Sequence, residues 1–193
     1  MAEKGTTQAR RQPLPAWLTE LNRFMKPDRK KAILQIIDSL VPYVLLWVLM
    51  VLMLQKGVSY GYVLLVSVLA ALWLVRIFII FHDCTHNSFF ASNRANLITG
   101  TIFGILTFTP FREWQFSHMR HHQTAGDLDN RGVGDVMTWT VKEYLEAPGG
   151  KRIFYRIYRN PLVLLIIGPI YSFLIRNRWS HKGAGKKEIR SVI

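Results

Sequence analysis

Two long apolar blocks dominate the hydrophobic pattern. Residues 33–55 and 59–81 each run 23 positions with few charges, enough to cross a hydrocarbon core about 30 Å thick at about 1.5 Å per helical residue. Only Gln55 to Tyr60 separates them, with Gly57 as the natural breaker, so the pattern predicts an antiparallel helical hairpin. Two charges lie inside it. Asp38 precedes Gly57 by 19 positions and Arg76 follows it by 19, which puts them at one depth. Charges within a membrane segment face protein and find partners, and we expect these two to pair; the alternative is that Arg76 snorkels to the headgroups.

Elsewhere the apolar stretches are shorter. Residues 97–111, interrupted by Gly100, Gly104 and Pro110, suit an interfacial or shallow re-entrant helix that returns the chain to the same membrane face. Arg112 to Ser117 then begins a further helix. Thr138 to Glu146 predicts a short helix ended by Pro148-Gly149-Gly150. Residues 151–159 interleave Lys151, Arg152, Arg156 and Arg159 with Phe154, Tyr155 and Tyr158, the composition of a helix at headgroup level. Residues 161–175, broken by Gly168 and Pro169, are expected to be interfacial or partly buried. Upstream, a disordered start interrupted by Pro13 and Pro15 leads to Trp17, Leu18, Leu21, Phe24 and Met25, spaced for a short surface helix. The expectation is an all-α membrane protein: one transmembrane hairpin, interfacial helices and a cytosolic cap. Three regions follow: a basic cytosolic segment (1–31), the hairpin (32–81) and a cytosolic or interfacial region (82–193).

Charge orients this arrangement. The net charge of +13 would suit nucleic acid in a soluble protein, but here Lys and Arg flank apolar segments, so anionic headgroups are the expected partner and nucleic acid is set aside. Eight basic residues precede the hairpin, one (Lys56) lies at its tip, and fifteen follow Phe81. The positive-inside rule then places both termini in the cytoplasm. No cleavable signal peptide fits, because the first apolar run begins past residue 31 and leads directly into another. Cys84 is the sole cysteine, which excludes an intrachain disulfide framework and casts it as a packing residue.

Histidine changes the picture most. Five of the six fall in two clusters: His82 and His86, then His118, His121 and His122 beginning 36 positions after His82. On helices, partners at i+3 and i+4 share a face roughly 100° wide, so five imidazoles point from two short helices at the cytosolic mouth of the hairpin. This is metal-ligand spacing. Imidazole suits iron, zinc, copper or nickel, and the thiolates of structural zinc sites are missing. Asp83 is placed to accept from an imidazole N–H behind the metal, or is a surface acid. Asp127, Asp129 and Asp135, in a glycine-containing turn region, have the same two readings, with solvated turn acids as the default and direct ligation less favoured. His181, without a partner at i+3 or i+4, reads as a surface residue.

His82-Asp-Cys-Thr-His-Asn-Ser-Phe-Phe, followed by His118-Met-Arg-His-His-Gln-Thr-Ala-Gly-Asp-Leu-Asp and Gly134-Asp135-Val136 with Thr138, Val141 and Glu143-Tyr144, resembles the first half of a membrane fatty acid desaturase, nearest the omega-6 or delta-12 branch. The likeness covers roughly residue 35 onward. It implies a non-haem di-iron centre with His82, His86, His118, His121 and His122 among its ligands. It further implies O₂ and two electrons from a ferredoxin or cytochrome b5-type donor, and a cis double bond made in a fatty acyl lipid or acyl-thioester, in what we expect to be a bacterial inner membrane.

The pattern departs from the family in one respect. A third histidine box and a second membrane hairpin normally follow, and neither occurs before Ile193. The reading is therefore of the N-terminal portion of a desaturase, inactive by itself. The alternatives are a related di-iron hydroxylase or ketolase, and an inactive membrane remnant.

Overall fold

The computed structural model describes residues 20–21, 26–132 and 134–192. Among these every regular element is helical. The surface helix expected around Trp17 to Met25 lies outside the described residues, apart from Glu20 and Leu21, which are helical and exposed.

Helix α1 (Arg29–Gln55) starts where Asp28 accepts from the backbone N–H of Lys30 and Lys31 at 2.9 and 3.2 Å, satisfying two of the donors left over at a helix N-terminus. It ends at Gly57, whose φ of +70° lets the chain reverse. Helix α2 (Tyr60–Thr85) runs back along α1. Both are long and apolar enough to cross a membrane, and Leu34, Leu45 and Leu65 remain exposed where lipid would cover them. The chain is a membrane protein.

Pro42, inside α1, has no N–H to donate to the carbonyl of Asp38 one turn earlier. That carbonyl accepts instead from Trp73 Nε1 on α2, at 3.1 Å. The expected ion pair lies beside it: Arg76 Nη2 donates to Asp38 Oδ1 at 2.5 Å, and Arg76 Nε to the buried Ser39 hydroxyl at 3.4 Å.

Helix α3 (Asn93–Leu106) brings the chain back to the same end of the hairpin, and α4 (Phe111–Thr124) leaves from there. Close approach explains the glycines on α3. A Cβ at Gly100 would stand 2.1 Å from the Phe111 ring, and one at Gly104 would stand 2.4 Å from the Thr109 carbonyl. The connection from α2 to α3 is closed by buried Asn96, whose amide accepts from Phe90 N–H at 2.8 Å and donates to Phe90 O at 2.7 Å. The core gathers here: Ile77, Ile80, Phe81 and Cys84 of α2 pack with Ala32, Phe89, Phe103 and Phe111.

After α4 come α5 (Val141–Glu146), α6 (Gly149–Tyr158), α7 (Val163–Arg178) and α8 (Lys186–Val192). Helix α5 begins three residues later than expected, because Thr140 caps it in a reciprocal box with Glu143. Helix α7 is wound as π-helix over Val163–Ile167 and Tyr171–Ile175. It is bent 61° from α6, and the pair is apolar enough to count as one broken span or a re-entrant element. Helix α8, which the hydrophobic pattern did not signal, packs on α4.

Candidate metal centre

The first histidine cluster does not sit on a short helix of its own. No breaker interrupts α2 before Thr85, so His82 projects from its last turn and His86 caps it. Gln115 of α4 ties that end down, donating from Nε2 to Thr85 O at 2.6 Å. The two helices then face each other. The Nε2 atoms of His82, His86 and His118 form a triangle with sides of 3.3, 3.0 and 3.0 Å, and His122 Nε2 joins at 3.0 Å from His118.

Each imidazole nitrogen either carries a proton or offers a lone pair. Around a triangle the two roles cannot alternate, so at least one contact opposes like with like. A shared cation removes the conflict. Metal–nitrogen bonds of about 2.1 Å place neighbouring nitrogens about 3.0 Å apart at right angles and about 3.4 Å apart tetrahedrally, which matches the sides observed. One ligand atom from each of His82, His86, His118 and His122 lies within 4.8 Å of all the others. The residues present fit a metal.

Electrostatics favours the ligating form. Burial, then the neighbouring imidazoles, lowers the pKa of His118 to about 4 and lowers that of His86, so both are neutral at neutral pH. Asp83 Oδ1 lies 3.1 Å from His82 Nδ1, which favours the Nδ1–H tautomer and leaves the Nε2 lone pair toward the cluster.

The remaining expected residues divide. His121 stands outside the group of four, its ring centroid 6.2 Å from that of His118 and 5.8 Å from that of His122. Its Nδ1 meets Asp135 Oδ1 at 2.5 Å. Gly134 sits beside this contact with φ +76°, where an added Cβ would stand 3.0 Å from that of His121. Asp127 and Asp129 are exposed. Asp127 organises its own turn, accepting from Asp129 N–H and Asn130 Nδ2 at 3.0 and 2.8 Å, and these bonds lower its pKa.

Residues 58–192 match the family model described as fatty acid desaturase. The chain belongs to that family. A "Fatty acid desaturase" of Bacillus subtilis (strain 168) is 47% identical over 165 residues, covering 86% of this chain and 46% of the relative. An "sn-1 oleoyl-lipid 12-desaturase" of Synechocystis is 31% identical over 84 residues, covering 44% of this chain and 23% of the relative. An oleoyl-12-hydroxylase of Ricinus communis is 30% identical over 109 residues, covering 54% and 25%. The chain therefore spans less than half the length of these relatives, and no solved structure matches it. Family and histidine cluster together point to metal use.

Aromatic residues outside the histidine motifs hold this desaturase-family cluster from behind. Trp114, one turn before His118 on α4, stacks on its ring at 4.2 Å and meets His82 edge-on at 5.9 Å. Phe78 and Phe81 close the other side of Trp114. The signal was present: a tryptophan four residues before a ligating histidine shares its helix face. His181 is corrected from a free surface residue to a half-buried one. Its Nδ1 lies 2.9 Å from Oε2 of buried Glu113, its backbone N–H donates to Oε1 at 2.9 Å, and its ring stacks on Phe116.

Proposed function

We propose that the chain forms part of a fatty acid desaturase that introduces a cis double bond, of delta-12 or omega-6 type, into a fatty acyl lipid or acyl-thioester. In this reading His82, His86, His118 and His122, together with His121, hold a non-haem di-iron centre. When bound, the irons supply the activation of O₂ that an unactivated methylene requires and no side chain can provide. The chain's own residues do the rest. Asp83 and Asp135 fix ring orientation, low proton affinity keeps His118 and His86 available as ligands, and the Trp114, Phe78 and Phe81 wall excludes water on the hairpin side. Electrons come from a ferredoxin or cytochrome b5-type donor.

The observation that carries the proposal is the convergence of four Nε2 atoms at the end of an apolar hairpin. The names of the relatives from Bacillus subtilis and Synechocystis support desaturation, and the second name supports position 12. The test is expression from the complete gene in a host supplied with donor and reductase, with acyl chains analysed by mass spectrometry. A new double bond that disappears in His82→Ala and His121→Ala is expected; activity near wild type in both variants refutes the ligand set. The Ricinus communis relative motivates a second reading, a hydroxylase, which the same analysis separates by finding an alcohol instead of an alkene.

We place both termini and the histidines on the cytoplasmic side of a bacterial inner membrane, from the Lys and Arg asymmetry across the hairpin. A cysteine at Ser59, but not one at Ser92, should label from outside; the reverse pattern overturns the orientation.

A further inference from the structure

Helix α6 has three distinct faces. Tyr155 and Tyr158 turn inward, where their hydroxyls accept from the backbone N–H groups of Trp139 and Met137 at 3.2 and 3.3 Å. Ile153, Phe154 and Ile157 form a second face, each more than half exposed. Arg152, Arg156 and Arg159, at i, i+4 and i+7, line a third within about 60° of one another. Among the described residues, none of these arginines, nor Lys151, has an acidic partner.

The arginine face opens onto a cleft between α5 and α6 with a volume of about 470 Å³. Trp139 and Tyr155, stacked at 4.6 Å with their planes 7° apart, line it together with Arg156 and Arg159. Arg156 is held in place: its Nε donates to the Tyr144 hydroxyl at 2.5 Å, and its guanidinium lies 5.7 Å from the centre of that ring. This leaves its two terminal nitrogens as a fork without a described partner. A guanidinium fork matches two oxygens of a phosphate.

We propose that this cleft binds the headgroup phosphate of an anionic phospholipid, with Arg156 and Arg159 as its ligands. Charge and position select the occupant. Two arginines without a described acidic partner, beside a stacked aromatic pair, complement a phosphodiester. The exposed Ile153, Phe154 and Ile157 of the same helix, with exposed apolar side chains of α7 such as Leu165, Ile166 and Ile170, offer the acyl contact that a lipid needs and a soluble phosphate does not. A helix with such faces lies in the interfacial plane. The site depends on the chain lying at a bilayer surface and is independent of desaturation.

The experiment is native mass spectrometry of the full chain released from micelles containing equal amounts of phosphatidylglycerol and phosphatidylcholine. Retention of phosphatidylglycerol about tenfold over phosphatidylcholine is expected, falling to parity in the Arg156→Gln/Arg159→Gln variant and unchanged in Lys182→Gln. An undiminished preference in the double variant overturns the proposal. So does retention of inorganic phosphate without any phosphatidylglycerol when both are supplied, which would mark a free-anion site. Should the glutamine variant fail to fold, Arg156→Lys/Arg159→Lys keeps the charge and removes the fork: a lost preference supports the site, and a fully retained one reduces it to diffuse attraction.

Discussion

The end of the hairpin that carries His82 and the stretch from Val141 to Val192 use the same apolar residue types to opposite ends. Around the histidines Ile77, Ile80, Phe81 and Cys84 are fully enclosed, whereas α5, α6, α7 and α8 contain no buried residue among those described. Lipid is as apolar as leucine, so bilayer helices gain little from merely hiding hydrophobic side chains; they gain from close packing. Gly100 and Gly104 provide that packing by admitting Phe111 and Thr109. The first region thus fixes the separations of four nitrogens. The second leaves its apolar faces for the bilayer.

Breaking the fixed region at its centre should have the largest effect. His118 Nε2 contacts the Nε2 atoms of His82, His86 and His122, each at 3.0 Å, so His118→Ala is expected to weaken metal retention by more than about a hundredfold, read by chelator competition. Asp135→Asn, which acts only through His121, should cost about 10- to 100-fold. Equal losses in the two variants would mean that His121 and Asp135 bear on the metal as directly as His118 does.

Glycine-to-alanine changes sharpen the comparison. At Gly100 the added methyl would collide with the Phe111 ring, and its next neighbour, Cys84 Cβ, is 3.0 Å away. Gly100→Ala should therefore destabilise the chain by about 1–3 kcal/mol. At Gly150, in the first turn of α6, an added methyl would meet nothing within 4 Å, and alanine there should be neutral or stabilising by up to about 1 kcal/mol. Thermal unfolding in detergent checks both; similar effects at the two glycines would erase the distinction between the regions.

Acidity probes the fixed region more gently. His118, with a pKa lowered from 6.5 to about 4, binds fewer protons in the folded than in the unfolded chain across that interval. Its contribution to stability is present above pH 6.5 and is lost as pH falls toward 4. Metal-free protein should accordingly lose stability over this window, and His118→Gln should lose less. Identical pH profiles for the two would show that burial and the surrounding imidazoles do not suppress protonation of His118.

The hairpin, its turn at Gly57 and both histidine groups were legible because each rests on local spacing: unbroken apolar runs and i, i+4 repeats. The short helices from α3 to α7 were each anticipated with shifted ends, whereas α8, whose seven residues carry no apolar run, was not. What escaped depends on contacts between distant segments. Glu113 and His181 are 68 residues apart, and nothing near His181 announces its partner. Likewise Asp127, Asp129 and Asp135 are alike as sequence, and only the fold of the turn brings Asp135 to an imidazole while leaving Asp127 to cap its own loop; Asp83, next to His82 on α2, was readable from its position. The division between His121 and the other four histidines also lay beyond helical periodicity, which puts all three of the second group on one face.

The smallest expected effect lies within the hairpin itself, at the ion pair that symmetry about Gly57 predicted. Arg76 and Asp38 meet at 2.5 Å, but their side chains are 47% and 63% exposed, and polar pairs inside membranes are worth about 1 kcal/mol or less because the separated helices find other partners. A double-mutant cycle of Asp38→Asn and Arg76→Gln should show coupling of that size, and additive losses would remove the pair as a stabilising contact. The backbone bond beside it offers an independent check. Trp73 supplies the donor that Pro42 denies to the Asp38 carbonyl, so Trp73→Phe should cost about 1 kcal/mol. In a Pro42→Ala background, where the helix provides its own N–H, that cost should shrink. If Trp73→Phe costs the same with and without Pro42, the tryptophan holds the hairpin by packing alone.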